Sequence, residues 1–272
     1  MPTSIITFSR KGSPIGGLGP IAESFDHYFS VRLANTQALK DEVYRIRYEV
    51  YCEEFGYEPA EDFPDRKECD TYDSKSTHCL VIHRDSGRTA GCVRLVPAEP
   101  SGPGALLPFE RYCGNSLTSE HWEAIRKMSR STVCEISRLS VSKVFRRRAR
   151  EQATRYGAIP ESKFSLAEKR IFPYVAVSLF LAATVLTDLT DHRNAFAMME
   201  PTLPRIMNRV GIVFQKVGNN IDYHGRRAAH FITTDSALEG MKPEYRELYE
   251  IIRESIAADF EASTLVRSGA RC

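Results

Sequence analysis

Glu135 stands between Cys134 and Ile136, with Leu139 close behind, in an apolar run of this 272-residue chain. A carboxyl in such company is expensive unless it is paired or put to use, and a carboxylate that removes the proton of an ammonium would free the amine for attack. The alternative is a structural ion pair with a neighbouring arginine. Arg138 lies three positions on, which on a regular strand sends the two side chains to opposite faces. For both to serve one site the strand must bulge, and the bulge is expected near Ile136 to Ser137.

Arg47, Arg94 and Arg138 with Asp70 and Asp73 make three cations and two anions that can interlock. They would hold a loop over a helix and leave one guanidinium for a planar carboxylate, a fork that suits an amino acid. A purely architectural net is the other reading. Tyr51, four residues after Arg47, shares its helix face. Lys143, Arg146, Arg147, Arg148 and Arg150 crowd together after the Glu135 strand. The whole chain carries only +2, which disfavours nucleic acid and makes any basic partner site local. A solvated loop is the plain alternative.

Seven cysteines without a C-x-x-C pair indicate neither a disulfide framework nor a zinc knuckle, and favour a reducing cytoplasm. His78, His83, His192, His224 and His230 have no metal-ligand spacing, so no metal is assigned. Cys134 has no partnered histidine in the sequence, and no nucleophilic role is assigned to it. Tyr223, His224 and Arg226 form a weaker cluster that a turn at Gly225 explains equally well.

These residues need elements to hold them. Alternation from Asp26 to Leu33 reads as a strand; Leu39, Val43, Ile46 and Val50 place a helix over Thr36 to Phe55. His78–His83 and Thr89–Val96 form a hairpin, a helical passage surrounds Trp122, and Cys134–Val141 is the central strand. Pro173 starts an apolar helix. Its run from Tyr174 to Leu186 is thirteen residues, short of the roughly 20 that cross a bilayer, so no transmembrane segment is expected. Strands follow at Ala195–Met199, Ile212–Val217 and Ala229–Thr233, with a short helix over Thr202–Val210. An amphipathic helix from Pro243 carries Leu248, Ile252, Ile256 and Phe260.

That last helix is expected to pack on the domain. Peripheral membrane contact is the alternative, although Glu247, Glu250, Glu254 and Asp259 disfavour anionic lipid. With 42% hydrophobic and 26% charged residues, the chain reads as a flexible tail (1–24), one α/β domain (25–240) and a C-terminal helix and tail (241–272). The N-terminus lacks the apolar core of a signal peptide.

The runs R-Y-E-V-Y (Arg47 to Tyr51), D-T-Y-D (Asp70 to Asp73), G-C-V-R-L-V-P (Gly91 to Pro97), L-P-F-E (Leu107 to Glu110) and E-I-S-R-L-S-V (Glu135 to Val141) resemble those of acyl-homoserine-lactone synthases. The longer pattern, through M-E-P-T-L-P-R (Met199 to Arg205) and Y-H-G-R-R (Tyr223 to Arg227), is more similar to the N-acyl amino acid synthases and PEP-CTERM exosortase-associated acyltransferases. The resemblance implies the fold of the GCN5-related N-acetyltransferases (GNAT), a mixed central sheet flanked by helices. It implies transfer of a fatty acyl chain from the phosphopantetheine thioester of an acyl carrier protein, or less readily of coenzyme A, to the amine of an amino acid, with no other cofactor.

Carried onto this chain, the resemblance puts Glu135, Arg138 and Arg94 at the catalytic centre and Arg47, Tyr51, Asp70 and Asp73 at the substrate. Arg146, Arg147, Arg148 and Arg150 would meet the carrier, because the glycine-rich phosphate cradle usual after the central strand is missing between Gly114 and Gly157. Val175, Val177, Leu179, Phe180 and Leu181, with Phe145 and Met198, would line the acyl tail unless they are plain core. The lactone synthases usually have a tryptophan where Gly56 and Tyr57 stand, which argues against S-adenosylmethionine as acceptor. A lactone synthase and a catalytically silent carrier-binding module remain as alternatives.

Overall fold

The computed structural model describes residues 19–101, 105–146 and 164–269, with side chains to residue 263. The polar N-terminal stretch, Arg147, Arg148, Arg150 and Gly157 lie outside the described residues.

Helix α1 (Pro20–Tyr28) leads directly into β1 (Phe29–Leu33). The expected strand from Asp26 therefore begins three residues late, and residues 20–24 of the expected tail are helical; Ala22 and Phe25 are buried in the core. Helix α2 (Gln37–Tyr48) is capped by the Thr36 hydroxyl, which accepts from the Leu39 N–H, and widens into a π-helical turn over Glu49–Glu54. Its predicted stripe buries Val43, Ile46 and Val50. Strands β2 (Thr77–His83), β3 (Thr89–Pro97) and β4 (Val133–Val141) follow, with α3 (Pro108–Cys113) and α4 (Ser119–Lys127) between the last two.

Then come α5 (Leu166–Ile171), α6 (Pro173–Leu189), β5 (Asn194–Met199) and α7 (Leu203–Val210). Two short strands, β6 (Gln215–Lys216) and β7 (Ile221–Asp222), precede β8 (Arg226–Thr233), α8 (Thr234–Gly240) and α9 (Pro243–Gly269).

The sheet runs β1-β2-β3-β4-β5-β8-β6, with β7 paired to β8. All neighbours are antiparallel except β4 and β5, which pair in parallel only from Val133 to Glu135. Beyond Glu135 the two strands part.

One face of the sheet is covered by α6 and α9. Helix α6 is apolar nearly all round, which fits a helix buried on every side. Among the described residues no helix is long and apolar enough to cross a membrane. Leu248, Ile252 and Ile256 of α9 join the same core as α6, so this helix is an integral layer of the domain. The opposite face carries α2 near β2 and β3, and α3 with α4 near β4, β5 and β8.

Candidate active site

All seven catalytic and substrate-side residues singled out in the sequence are buried or half-buried, and the contacts of six of them gather on the α2 side of the sheet. Arg47 lies bidentate on Asp73, Nη1 to Oδ1 at 2.7 Å and Nη2 to Oδ2 at 3.1 Å, while its Nε donates to Glu68. Arg94 donates Nη1 to Asp70 at 2.7 Å and Asp73 at 3.0 Å, and Nε to the Ser137 hydroxyl at 3.1 Å. Arg138 reaches Glu68 at 3.0 Å and Glu58 at 3.1 Å, with its guanidinium 5.0 Å over the Tyr51 ring.

Asp73 is the hub. Its carboxylate also meets His78 Nε2 at 2.9 Å and takes the Asp70 N–H at 2.7 Å. Burial alone would raise its pKa, but the His78 hydrogen bond and the Arg47 and Arg94 guanidiniums outweigh burial and hold it far below the usual carboxylate range. Glu68 is held low in the same way by Arg47 and Arg138 against burial. His78 is driven down by desolvation, so its ring is neutral near pH 7.

This geometry corrects one expectation. No guanidinium among Arg47, Arg94 and Arg138 is left free for an incoming carboxylate: Arg94 is held by Asp70 and Asp73, while Glu68 and Glu58, which no pattern in the sequence singles out, pair with Arg47 and Arg138. Buried charges must be paired, and here acids and bases are closely matched.

The predicted bulge exists, two residues later than expected. Between Cys92 and Arg94 of β3, which pair with Ser140 and Ser137, β4 carries one extra residue, and Arg138 adopts φ +51°. Ile136 packs toward α6, whereas Ser137 and Arg138 both reach the network face.

Glu135 sits where β4 and β5 begin to part and is 3% exposed. Its Oε2 accepts from the Phe109 N–H at 2.8 Å. Desolvation raises its pKa to about 7, against the opposing pull of that N–H and of Arg94 and Arg138. The carboxyl lines neither of the two described cavities.

An apolar recess does reach the parting strands. It is lined by Ile136 of β4, Ala195 and Phe196 of β5, Phe180 and Ala183 of α6, and Ile212 and Phe214 beyond α7. Of the expected acyl lining only Phe180 faces it. Val175, Val177, Leu179 and Leu181 are packed in the core, Phe145 joins an aromatic cluster with Phe29 and Phe172, and Met198 packs on the opposite face.

The weaker Tyr223–His224 signal does converge on the site. The β7–β8 turn carries His224 at φ +51° and Gly225 at φ +88°, conformations that favour glycine at the second position. The His224 ring lies 5.4 Å from Tyr57 and its Nε2 3.5 Å from Glu58, while Arg227 stacks 5.5 Å over Tyr57.

Of the basic cluster, Lys143 and Arg146 are described; Lys143 is exposed, and Arg146 pairs with Glu54 and stacks 5.1 Å over Phe55. Cys134 is buried, which pushes its thiol far above the range of a nucleophile. Among the described residues, no group of three or more His, Cys, Asp or Glu is placed to hold a metal ion.

Residues 46–154 match the profile of the acetyltransferase (GNAT) domain. Among solved structures, TofI in a ternary complex with an inhibitor and MTA superposes with a TM-score of 0.55 at 18% identity, covering 79% of this chain and 98% of TofI. FeeM, an N-acyl amino acid synthase from uncultured soil microbes, gives 0.50 at 14% identity, covering 78% and 94%. The AHL synthase LasI gives 0.49 at 15% identity, covering 79% and 95%. No curated protein sequence matches the chain. Residues 46–154 thus resemble an acetyltransferase (GNAT) domain, and the chain as a whole shares the fold of TofI and FeeM.

Proposed function

We propose that the protein moves a medium- or long-chain fatty acyl group from the thioester of an acyl carrier protein to the amine of an amino acid, in the cytoplasm. The observation that carries this reading is the parting of β4 and β5 at Glu135, a carboxyl that burial holds near pKa 7, with an apolar recess reaching the same parting strands from the α6 face. Amines are mostly protonated near neutral pH, so attack on a thioester needs a proton acceptor of about that strength.

Glu135 accepts the ammonium proton, the freed nitrogen bonds to the acyl carbon, the carbon–sulfur bond breaks, the second proton that the nitrogen sheds as the amide forms goes to the leaving thiolate, and Glu135 gives its own proton up to solvent as the products leave. Because the carboxyl is closed off in this state, the Michaelis complex must open a path to it between α3 and the β7–β8 turn. The acyl tail occupies the recess around Ile136 and Phe180, gaining about 0.8 kcal/mol per buried methylene. The bulge on β4 keeps Arg138 and the interlocked acids rigid behind the reacting groups.

The test is mass spectrometry of lipids from cells expressing the protein, together with thiol release from acyl carrier protein in the presence of amino acids. An N-acyl amino acid that disappears with Glu135→Gln, in a variant that still folds, is the expected result. Thioester left intact with every amino acid would overturn the reading.

A second reading, a lactone synthase using S-adenosylmethionine, draws on the motifs shared with that family and on a fold shared with TofI, which was solved with MTA. Methylthioadenosine as coproduct would select it.

A further inference from the structure

We propose that Arg227 is the anchor for the carboxylate of the acceptor, an inference that rests on the transferase reading above. Along β8, Ala229 and Phe231 pack on the cluster that contains Phe109 and Phe196, and the strand's alternation puts Arg227 on that same face. Glu135 belongs to it too, since its neighbours Cys134 and Ile136 pack on the opposite side. The other arginines of this face, Arg47, Arg94 and Arg138, are all taken by internal carboxylates.

Arg227 is different. Its side chain is 14% exposed and its Nε is buried without a hydrogen-bond partner. The nearest acid, Glu200, stands 3.6 Å from Nη2, beyond hydrogen-bond reach, and is half-exposed. The guanidinium is oriented by the Tyr57 ring 5.5 Å away, which in turn packs on Tyr51 and His224. A buried donor left unmade is costly, and the Nε edge of a guanidinium takes a carboxylate through two parallel bonds. The planar fork expected from the sequence is therefore present, on β8 rather than in the Asp73 network.

The probes are N-dodecanoylglycine and its neutral counterpart N-dodecanoylglycinamide, titrated by calorimetry against wild type, Arg227→Gln and Arg227→Lys. Wild type is expected to prefer the acid at least tenfold. In Arg227→Gln the preference falls below twofold because the acid weakens and the amide does not; Arg227→Lys keeps part of it. Equal binding of the two probes by wild type, or a preference that survives in Arg227→Gln, would overturn the proposal, as would a loss confined to 4′-phosphopantetheine as a third probe. The wild-type comparison needs no variant to fold.

The two readings fail separately. Acid preference lost in Arg227→Gln, with no thiol released by wild type from acyl carrier protein, sinks the transferase and keeps the anion site. Amide formation with undiminished acid preference in Arg227→Gln sinks the anchor alone.

Discussion

Ser137 and Arg138 are consecutive on β4, yet both side chains reach the same face of the sheet, the first to Arg94 and the second to Glu68. Alternation forbids this on a regular strand. The extra residue opposite Cys92–Arg94 and the left-handed backbone at Arg138 make it possible. Arg138 can therefore lock Glu68 and Glu58 while Glu135, three residues back, keeps its place at the parting strands.

A non-glycine residue at φ +51° bears about 1–2 kcal/mol of backbone strain. Both Arg138→Ala and Arg138→Gly lose the ion pairs to Glu58 and Glu68, but only glycine relieves the strain. We expect Arg138→Gly to be the more stable of the two by about 1 kcal/mol in urea denaturation, the reverse of the usual preference within a strand. Alanine equal to or better than glycine would contradict the bulge.

Asp73 neutralises two buried guanidiniums and accepts from His78. Asp73→Asn leaves Arg47 and Arg94 without their shared anion and should cost about 3–5 kcal/mol in stability. The native carboxyl is held below its unfolded value, so its contribution is complete above the unfolded pKa and fades only as pH falls beneath it. The wild-type minus variant difference in unfolding free energy should accordingly be flat from pH 5 to 8 and shrink in acid. A difference below 1 kcal/mol at pH 7 would remove Asp73 from the centre of the net.

Strands β2, β3 and β4 and the helices α2 and α6 were legible because their apolar periods are long and Pro173 marks a start. Helix α1 was not: it is short and continues into β1 without a turn, so Asp26 to Tyr28 read as strand. Glu68 and Glu58 sit in a polar stretch where any acid looks solvated, and their partner Arg138 is 70 and 80 residues away. Counting only Asp70 and Asp73 against three arginines left a cation over; the fold supplies two more acids. Nothing local marks Arg227 within its Y-H-G-R-R run, because its unpartnered Nε depends on where β8 meets Tyr57.

Arg147→Glu with Arg148→Glu tests carrier docking. If the cluster after β4 meets an acidic carrier, the KM for carrier-bound donor should rise by tenfold or more, with the penalty largest at low salt, where charges are least screened. Turnover at saturating donor should be unchanged. A fall in kcat alone would place the cluster away from docking.

Gly91 lets α6 approach the sheet. A Cβ there would lie 2.7 Å from the Ser140 carbonyl oxygen and 2.9 Å from Leu179 Cδ1. The carbonyl belongs to the neighbouring strand and cannot swing away, so Gly91→Ala should destabilise the protein by about 1–3 kcal/mol through overpacking. A neutral result in thermal denaturation would show that α6 can lift without cost.

Glu135 separates stability from activity. Its carboxyl is raised from an ordinary value of 4.5 to about 7 in the fold. Between those values the folded state holds a proton that the unfolded chain has lost, so stability falls as pH rises through that window, by up to ~3 kcal/mol in all. Glutamine removes this cost while its amide oxygen can still accept the Phe109 N–H. Glu135→Gln should thus match wild type in stability at pH 4 and exceed it at pH 8. Its kcat/KM should drop at least a hundredfold and lose the rising limb near pH 7 that an ionising base gives to wild type. A variant less stable than wild type at pH 8, with its rate profile intact, would make the carboxylate a structural anion and move the proton acceptor elsewhere on this face.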